Sequence, residues 1–223
     1  MPQTISNSKV PQKTIVYIDG FNVYYSLLKR TPYKWLNLRD LMENIFPGDR
    51  NDIIEIKYFT ALVRPRLANP DQLIHQQVYI RALETLENFK VIYGSFLSNP
   101  VKLPSVLSQF PLKLGPTIRV LKTEEKGSDV NLAVHLMKDA CENRFEVAIV
   151  VTNDSDFALP IEIIKREFGK AVIVAYPTPH VNDKLKTAAS FVRKIRGGPY
   201  LSKFQFPQTL TDSVGTITKP LGW

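Results

Sequence analysis

The sequence predicts an α/β fold, a central mostly parallel sheet with helices on both faces. Three observations carry this. Short apolar runs rich in β-branched residues recur at 14–18, 52–63, 147–152 and 170–176. Such runs, apolar on both sides, suit buried parallel strands better than half-solvated antiparallel ones. Helical stretches of ten or more residues lie between several of them, as parallel crossovers require. Finally, three helical stretches start just after an aspartate-bearing turn.

Taken in order, residues 1–12 are polar and predict a mobile terminus. Thr14–Ile18 is the first strand and stops at Asp19-Gly20-Phe21-Asn22, where Gly20 permits a tight turn. Val23–Arg30 continues as a helix, and Leu38–Phe46 gives another, ending before Pro47-Gly48. Asp52–Val63 reads as a long strand. Asn69-Pro70-Asp71 starts a helix running to about Glu87, with Asn69 as cap and Pro70 in the first turn. Phe89–Phe96 is a further strand. Ser98–Pro116, interrupted by Pro100, Pro104 and Pro111, reads as a long connection. Ile118–Leu121 is strand-like, and the helix from Val130 has Ser128 or Asp129 at its amino end. Val147–Thr152 is a buried strand; Pro160 then sits in the first turn of a helix that cannot start much before residue 156. Strand 170–176, a short helix over 182–189 and strand 191–195 complete the pattern. The expected division is one domain over 13–196 and a C-terminal extension, 197–223, docked on it.

Composition narrows the function. The 223 residues carry 29 Lys+Arg against 21 Asp+Glu, a net charge of +8. That excess favours a polyanionic partner, nucleic acid before membrane surface. The single cysteine, Cys141, excludes an internal disulfide framework and is expected to be a small buried hydrophobe. The three histidines, His75, His135 and His180, have no zinc spacing. No signal peptide and no run of membrane-spanning length is visible, so a cytoplasmic location without membrane contact is expected. Neither GxGxxG, GxxxxGK[ST] nor GxSxG occurs at a place that would support dinucleotide, P-loop or serine-hydrolase chemistry.

What remains is a set of carboxylates. Asp19, Asp129, Asp154 and Asp156 each sit at the carboxyl end of a strand or the amino end of the following helix. A parallel sheet gathers those ends at its topological switch point. Asp154, Ser155 or Asp156 also suits a helix cap, but four converging carboxylates repel one another unless a cation lies between them. Oxygen ligands without His or Cys select Mg²⁺ or Mn²⁺. Asp154 is read as a metal ligand, with capping left to Ser155 or shared with Asp156.

Three segments, Tyr17-Ile-Asp19-Gly-Phe-Asn22, Lys126-Gly-Ser-Asp129-Val and Val151-Thr-Asn-Asp154-Ser-Asp156-Phe, resemble the successive signatures of the NYN domain family. The likeness covers residues 13 to about 196 and is greatest to the bacterial LabA-like branch. NYN domains are similar to PIN-type nucleases. The resemblance implies a Rossmann-like PIN fold and a metal-dependent endoribonuclease. It carries catalytic and metal-ligand roles onto Asp19, Asp129, Asp154 and Asp156, with Asn22 holding the first carboxylate or a metal-bound water. Asn22, Lys126, Asn153 and Ser155 are the expected substrate contacts, and RNA, in single-stranded form, the expected partner. Arg64 and Arg66, after a strand's carboxyl end, are candidates for its phosphate backbone. Phe21, Tyr24 or Tyr25 offers a ring for a base, against core packing for at least two of them. Self-association is left open. A non-catalytic RNA-binding protein and a hydrolase of small phosphate esters are the competing readings.

Overall fold

A computed structural model describes residues 10–65, 70–105 and 117–223. The expected mobile terminus up to residue 9, Arg66 and Asn69 as phosphate and cap candidates, and Pro111 lie outside the described residues.

Six strands form one parallel sheet: β1 (Gln12–Asp19), β2 (Asn51–Thr60), β3 (Phe89–Tyr93), β6 (Val147–Val151), β7 (Ala171–Tyr176) and β8 (Phe191–Lys194). Their spatial order is β3-β2-β1-β6-β7-β8, so the direction of winding reverses between β1 and β6. Alternation along the strands divides the core in two. Val16, Ile18, Ile56, Ile149 and Val151 face α2 (Leu38–Ile45), α3 (Gln72–Glu84) and the C-terminal segment. Ile15, Tyr17, Ala148, Val150, Val172 and Val174 face α4 (Ser128–Cys141), α5 (Ala158–Phe168) and α6 (Asp183–Ala188). Helices thus cover both faces, as expected from the sequence.

The C-terminal segment is part of the first layer. Leu201, Phe204, Phe206 and Ile217 are buried in it. Asn37 N donates to Phe204 O at 2.7 Å, and Trp35 Nε1 to Pro207 O at 2.8 Å. Arg81, on α3, makes a bidentate pair with Asp212 at 2.6 Å for both bonds. Two short antiparallel strands, β9 (Thr209–Thr211) and β10 (Thr216–Thr218), close the chain.

Four local expectations are corrected. The helix after Asp19 is one α-turn, α1 (Gly20–Val23), continued as a π-helix over Tyr24–Leu28. Gly20 is required by close approach rather than by its dihedrals: a Cβ there would stand 2.6 Å from Tyr58 Cζ and 2.7 Å from Phe59 O. Cys141 is exposed, because α4 buries Leu132, Leu136, Asp139 and Ala140, and residue 141 lies about 100° further round. The fourth concerns the connection beginning at Ser98. Ser95–Pro104 is a strand, β4, paired antiparallel with β5 (Thr117–Lys126) over ten residue pairs in a separate two-stranded ribbon. Pro100 and Pro104 are compatible with it because each strand of a two-stranded ribbon has an unpaired edge, where a missing N–H costs nothing.

Beneath α4 lies a buried ionic network. Lys57 Nζ, Tyr17 Oη (2.6 Å) and Arg144 Nη1 (2.8 Å) all donate to Asp139, while Arg144 Nη2 and Lys90 pair with Glu55 at 2.9 and 2.5 Å. Burial alone would raise the Asp139 carboxyl; the hydrogen bonds from Lys57 and Tyr17 outweigh it and hold the group below its ordinary value. Breaking a buried pair from one side leaves an uncompensated charge. Lys57→Met is therefore expected to cost about 3–5 kcal/mol, read as a lowered urea midpoint.

Candidate active site

The site lies where the strand order reverses. Parallel pairing of β1 with β6 sets Ile18 opposite Val151, so the residues that follow, Asp19 and Thr152, meet at the carboxyl edge. Thr152, fully buried, donates its hydroxyl to Asp19 Oδ2 at 3.0 Å and accepts from Asp154 N at 3.1 Å. Asp19 Oδ1 caps α1 by accepting from Asn22 N at 2.9 Å. Asn22 Oδ1 in turn accepts from Asn153 N at 3.2 Å. Two turns some 130 residues apart are thereby locked together by their own backbone and side-chain donors.

Asp129 enters from α4. Gly127, at φ 94°, turns the chain out of β5, and Ser128 and Asp129 open the helix. Glu125 Oε1 accepts from Ser128 N at 3.0 Å. Gly94 lets β3 pass close to this turn, since a Cβ there would fall 2.6 Å from Glu125 Oε1 and 2.7 Å from Lys126 O. Asp19, Asp129, Asp154 and Glu125 line one pocket with Asn22, Ser128, Thr123 and the rings of Phe21, Tyr25 and Phe96; its volume is about 440 Å³.

Charge is concentrated there against the basic character of the whole chain. Burial pushes the Asp19 carboxyl up to about 6; the charges of Asp129 and Asp154 add to this, and the bonds from Asn22 N and Thr152 oppose it. Burial, followed by the charges of Asp154, Glu125 and Asp156, holds Asp129 above its ordinary value. Carboxylates raised by burial and by one another in a cleft are candidates for a functional site.

The sequence-derived candidates separate into groups. Asp19, Asp129 and Asp154 come together. Asp156 is exposed and lines an adjoining groove with Ser155, Leu159 and Asp183. The cap of the turn after β6 is Asp154 itself, whose Oδ1 accepts from Asp156 N at 3.0 Å, so capping is not left to Ser155 or Asp156. Asn22 lines the pocket, but its side chain holds Asn153 N rather than a carboxylate. Asn153 is committed to the fold: Nδ2 donates to His180 O and Oδ1 accepts from Asn182 N. Lys126 pairs with Glu124 at 3.1 Å, and strand alternation sets both on the ribbon face opposite Thr123 and Glu125. Arg64 donates to Phe96 O at 3.2 Å and so anchors the base of the ribbon. The sequence reading missed Thr152, Ser128 and Glu125. The alternation Thr123-Glu124-Glu125-Lys126 carried a signal for Glu125, had the segment been read as strand.

The donor set is carboxylate and hydroxyl oxygen, suited to a hard divalent cation. Each oxygen of Asp19 retains a lone pair after its one hydrogen bond. Among the described residues, no three His, Cys, Asp or Glu side chains form a closed metal-ligand group as they stand. The fit rests on chemistry and charge: buried oxygen donors whose mutual repulsion a cation would relieve, and Ser128 Oγ, a buried polar atom without a hydrogen-bond partner among the described residues.

The raised Asp19 group has a stability signature. Its carboxyl is about 6 in the folded chain against 3.8 ordinarily, so stability present below pH 4 is lost as pH rises towards and through 6. In a metal chelator, Asp19→Asn is expected to raise stability at pH 7.5 by up to about 3 kcal/mol, and to do nothing at pH 3.5. Thermal unfolding at the two pH values checks this.

Comparison with known proteins agrees with this architecture. A solved protein of unknown function from Vibrio parahaemolyticus superposes with a TM-score of 0.50 at 17% identity, over 85% of this chain and 96% of that one, a likeness of fold. The 6-hydroxy-3-succinoylpyridine 3-monooxygenase HspA of Pseudomonas putida is 33% identical over 96% of this chain and 76% of its own length. Residues 13–195 match the NYN domain, whose family includes PIN-like nucleases that bind nucleic acid and typically depend on divalent metals. With the match spanning most of the chain and all three aspartate-bearing turns, this protein belongs to the NYN domain family.

Proposed function

We propose that the protein is a metal-dependent endoribonuclease hydrolysing RNA phosphodiester bonds in the Asp19–Asp129–Asp154 pocket. The observation that carries this is the convergence of these three carboxylates at the switch point, with Asp19 and Asp129 both held above their ordinary values. A module that only binds a polyanion gains nothing from such a concentration of negative charge. Asp19, Asp129 and Asp154 would hold Mg²⁺ or Mn²⁺, with Glu125 beside them and Asp156 at the outer rim. When bound, such an ion lowers the pKa of a water and neutralises charge on phosphoryl oxygens. Thr152 fixes the Asp19 carboxylate and the Asp154 backbone relative to each other. Asn22 ties the two turns so that the pocket keeps its shape. Surface Lys and Arg would supply salt-dependent attraction for the RNA backbone.

The name of the Pseudomonas relative supports a second reading, oxidation of a small heteroaromatic ring. The two differ in dioxygen: hydrolysis of a phosphodiester consumes water alone, whereas a monooxygenase stops without oxygen and a reductant.

Asparagine is as good a cap as aspartate, so Asp154→Asn is expected to keep the fold. It should lower Mn²⁺-dependent cleavage of single-stranded RNA by about a hundredfold, the upper end of what loss of even an outer partner of a metal site costs. Gel assays under anaerobic conditions, with and without chelator, check this. Wild-type protein that binds RNA but cuts none with either ion would sink the nuclease reading.

A further inference from the structure

We propose that the acidic pocket is a nucleotide subsite, in which Ser128 holds a phosphoryl oxygen and the aromatic wall of Phe21, Tyr25 and Phe96 stacks on the adjoining base. This rests on the reading of the pocket as a phosphodiester site and extends it to the residues that grip the nucleotide.

Two independent observations carry it. Ser128 is 2% exposed, yet among the described residues its hydroxyl has no hydrogen-bond partner. A buried hydroxyl left unpaired is destabilising, so a fold without use for it would be better served by alanine. Ser128 lines the pocket at the amino end of the fourteen-residue α4, where the helix favours negative charge. Ser128 N is already taken by Glu125 and Asn131 N by Gly127 O, so the local turn is satisfied without the hydroxyl. An oxygen acceptor arriving from the pocket is the partner this geometry lacks. Repulsion between that oxygen and the acids is offset by the cation they would share, which commonly bridges carboxylates and phosphate.

The second observation is the wall. Tyr25 is 52% exposed, unlike Tyr24, which packs against the core. Its ring lies 6.4 Å from that of Phe21 at 24°, and Phe96 meets Phe21 edge-on at 5.8 Å. Lys29 Nζ stands 4.7 Å from the Tyr25 ring centre. Rings drawn from α1, the π-turn and β4 thus meet in the lining of a pocket that the acids also line. Packing does not require the half-exposed Tyr25, whereas a planar base beside a phosphate would use it. The 440 Å³ volume falls within the range of small-ligand sites.

The test is calorimetric titration, in Mg²⁺, of AMP, ribose 5-phosphate and adenosine into wild type, Ser128→Ala, Tyr25→Leu and Tyr25→Phe. Wild type should bind AMP more tightly than either fragment. Tyr25→Leu should weaken AMP about tenfold and leave ribose 5-phosphate unchanged, while Tyr25→Phe keeps AMP affinity. Ser128→Ala should weaken AMP and ribose 5-phosphate alike, by about tenfold, and leave adenosine unchanged. Its melting temperature should hold or rise, since an unpaired buried hydroxyl is removed; a structural role would lower it. The proposal is overturned if the folded variants bind AMP as wild type does, or if adenosine binds as tightly as AMP. RNA cleavage is scored separately. Nucleotide binding that follows this pattern without cleavage removes the nuclease reading and keeps the subsite; cleavage with unchanged variant binding does the reverse.

Discussion

One hydroxyl group, that of Thr152, joins the two halves of the site. It donates to Asp19 and accepts from Asp154 N, and it can do both only because β1 and β6 run parallel in the register that sets Ile18 against Val151. Sliding either strand by one residue would turn Thr152 towards the opposite face and part the two acids. The buried apolar faces hold that register: Ile15, Tyr17, Ala148 and Val150 pack under α4 and α5, Val16, Ile18, Ile149 and Val151 under the other layer. The chemistry at the edge is therefore secured by packing in the middle of the sheet.

The protein contains two charged clusters that use opposite physics. Around Asp139 and Glu55, lysine and arginine match the acids, and the network is satisfied. Around Asp19, acid meets acid, and hydrogen bonds from Asn22 N and Thr152 only partly offset the cost of burial. Both are partly covered by α4, one at its amino end and one near its carboxyl end, so a single helix carries a neutralised cluster and an unneutralised one. The first is internally neutralised and the second opposes folding, which is the pattern expected where function is kept at the expense of stability.

Much of this was legible in the sequence. Runs such as Val147–Val151 have one reading in an α/β chain, and the aspartates ending them mark the edge without any coordinates. Less legible was everything decided by non-local pairing. The ribbon of β4 and β5 was hidden because its prolines look like breakers and its strands bury little. With it went Glu125, whose place in the pocket depends on strand alternation, and the turning away of Lys126. Thr152 and Ser128 looked like the last residue of a strand and the first of a helix. Their roles come from where their hydroxyls point, which spacing does not encode. In the sequence Gly20 suggests dihedral freedom, while the structure uses its missing side chain against Tyr58.

The bond between Thr152 and Asp19 spans 133 positions of chain. A contact of that range forms only after most of the polypeptide is available and its loop entropy has been overcome. Asp129 comes from between the two, and the layer beneath β1 and β6 is completed by Phe204, Phe206 and Ile217 near the very end. The three acids are far apart in sequence and meet only at the edge of the folded sheet. The mutual repulsion of Asp19, Asp129 and Asp154 therefore falls on the folded state and not on the unfolded chain, where the three are held apart by sequence.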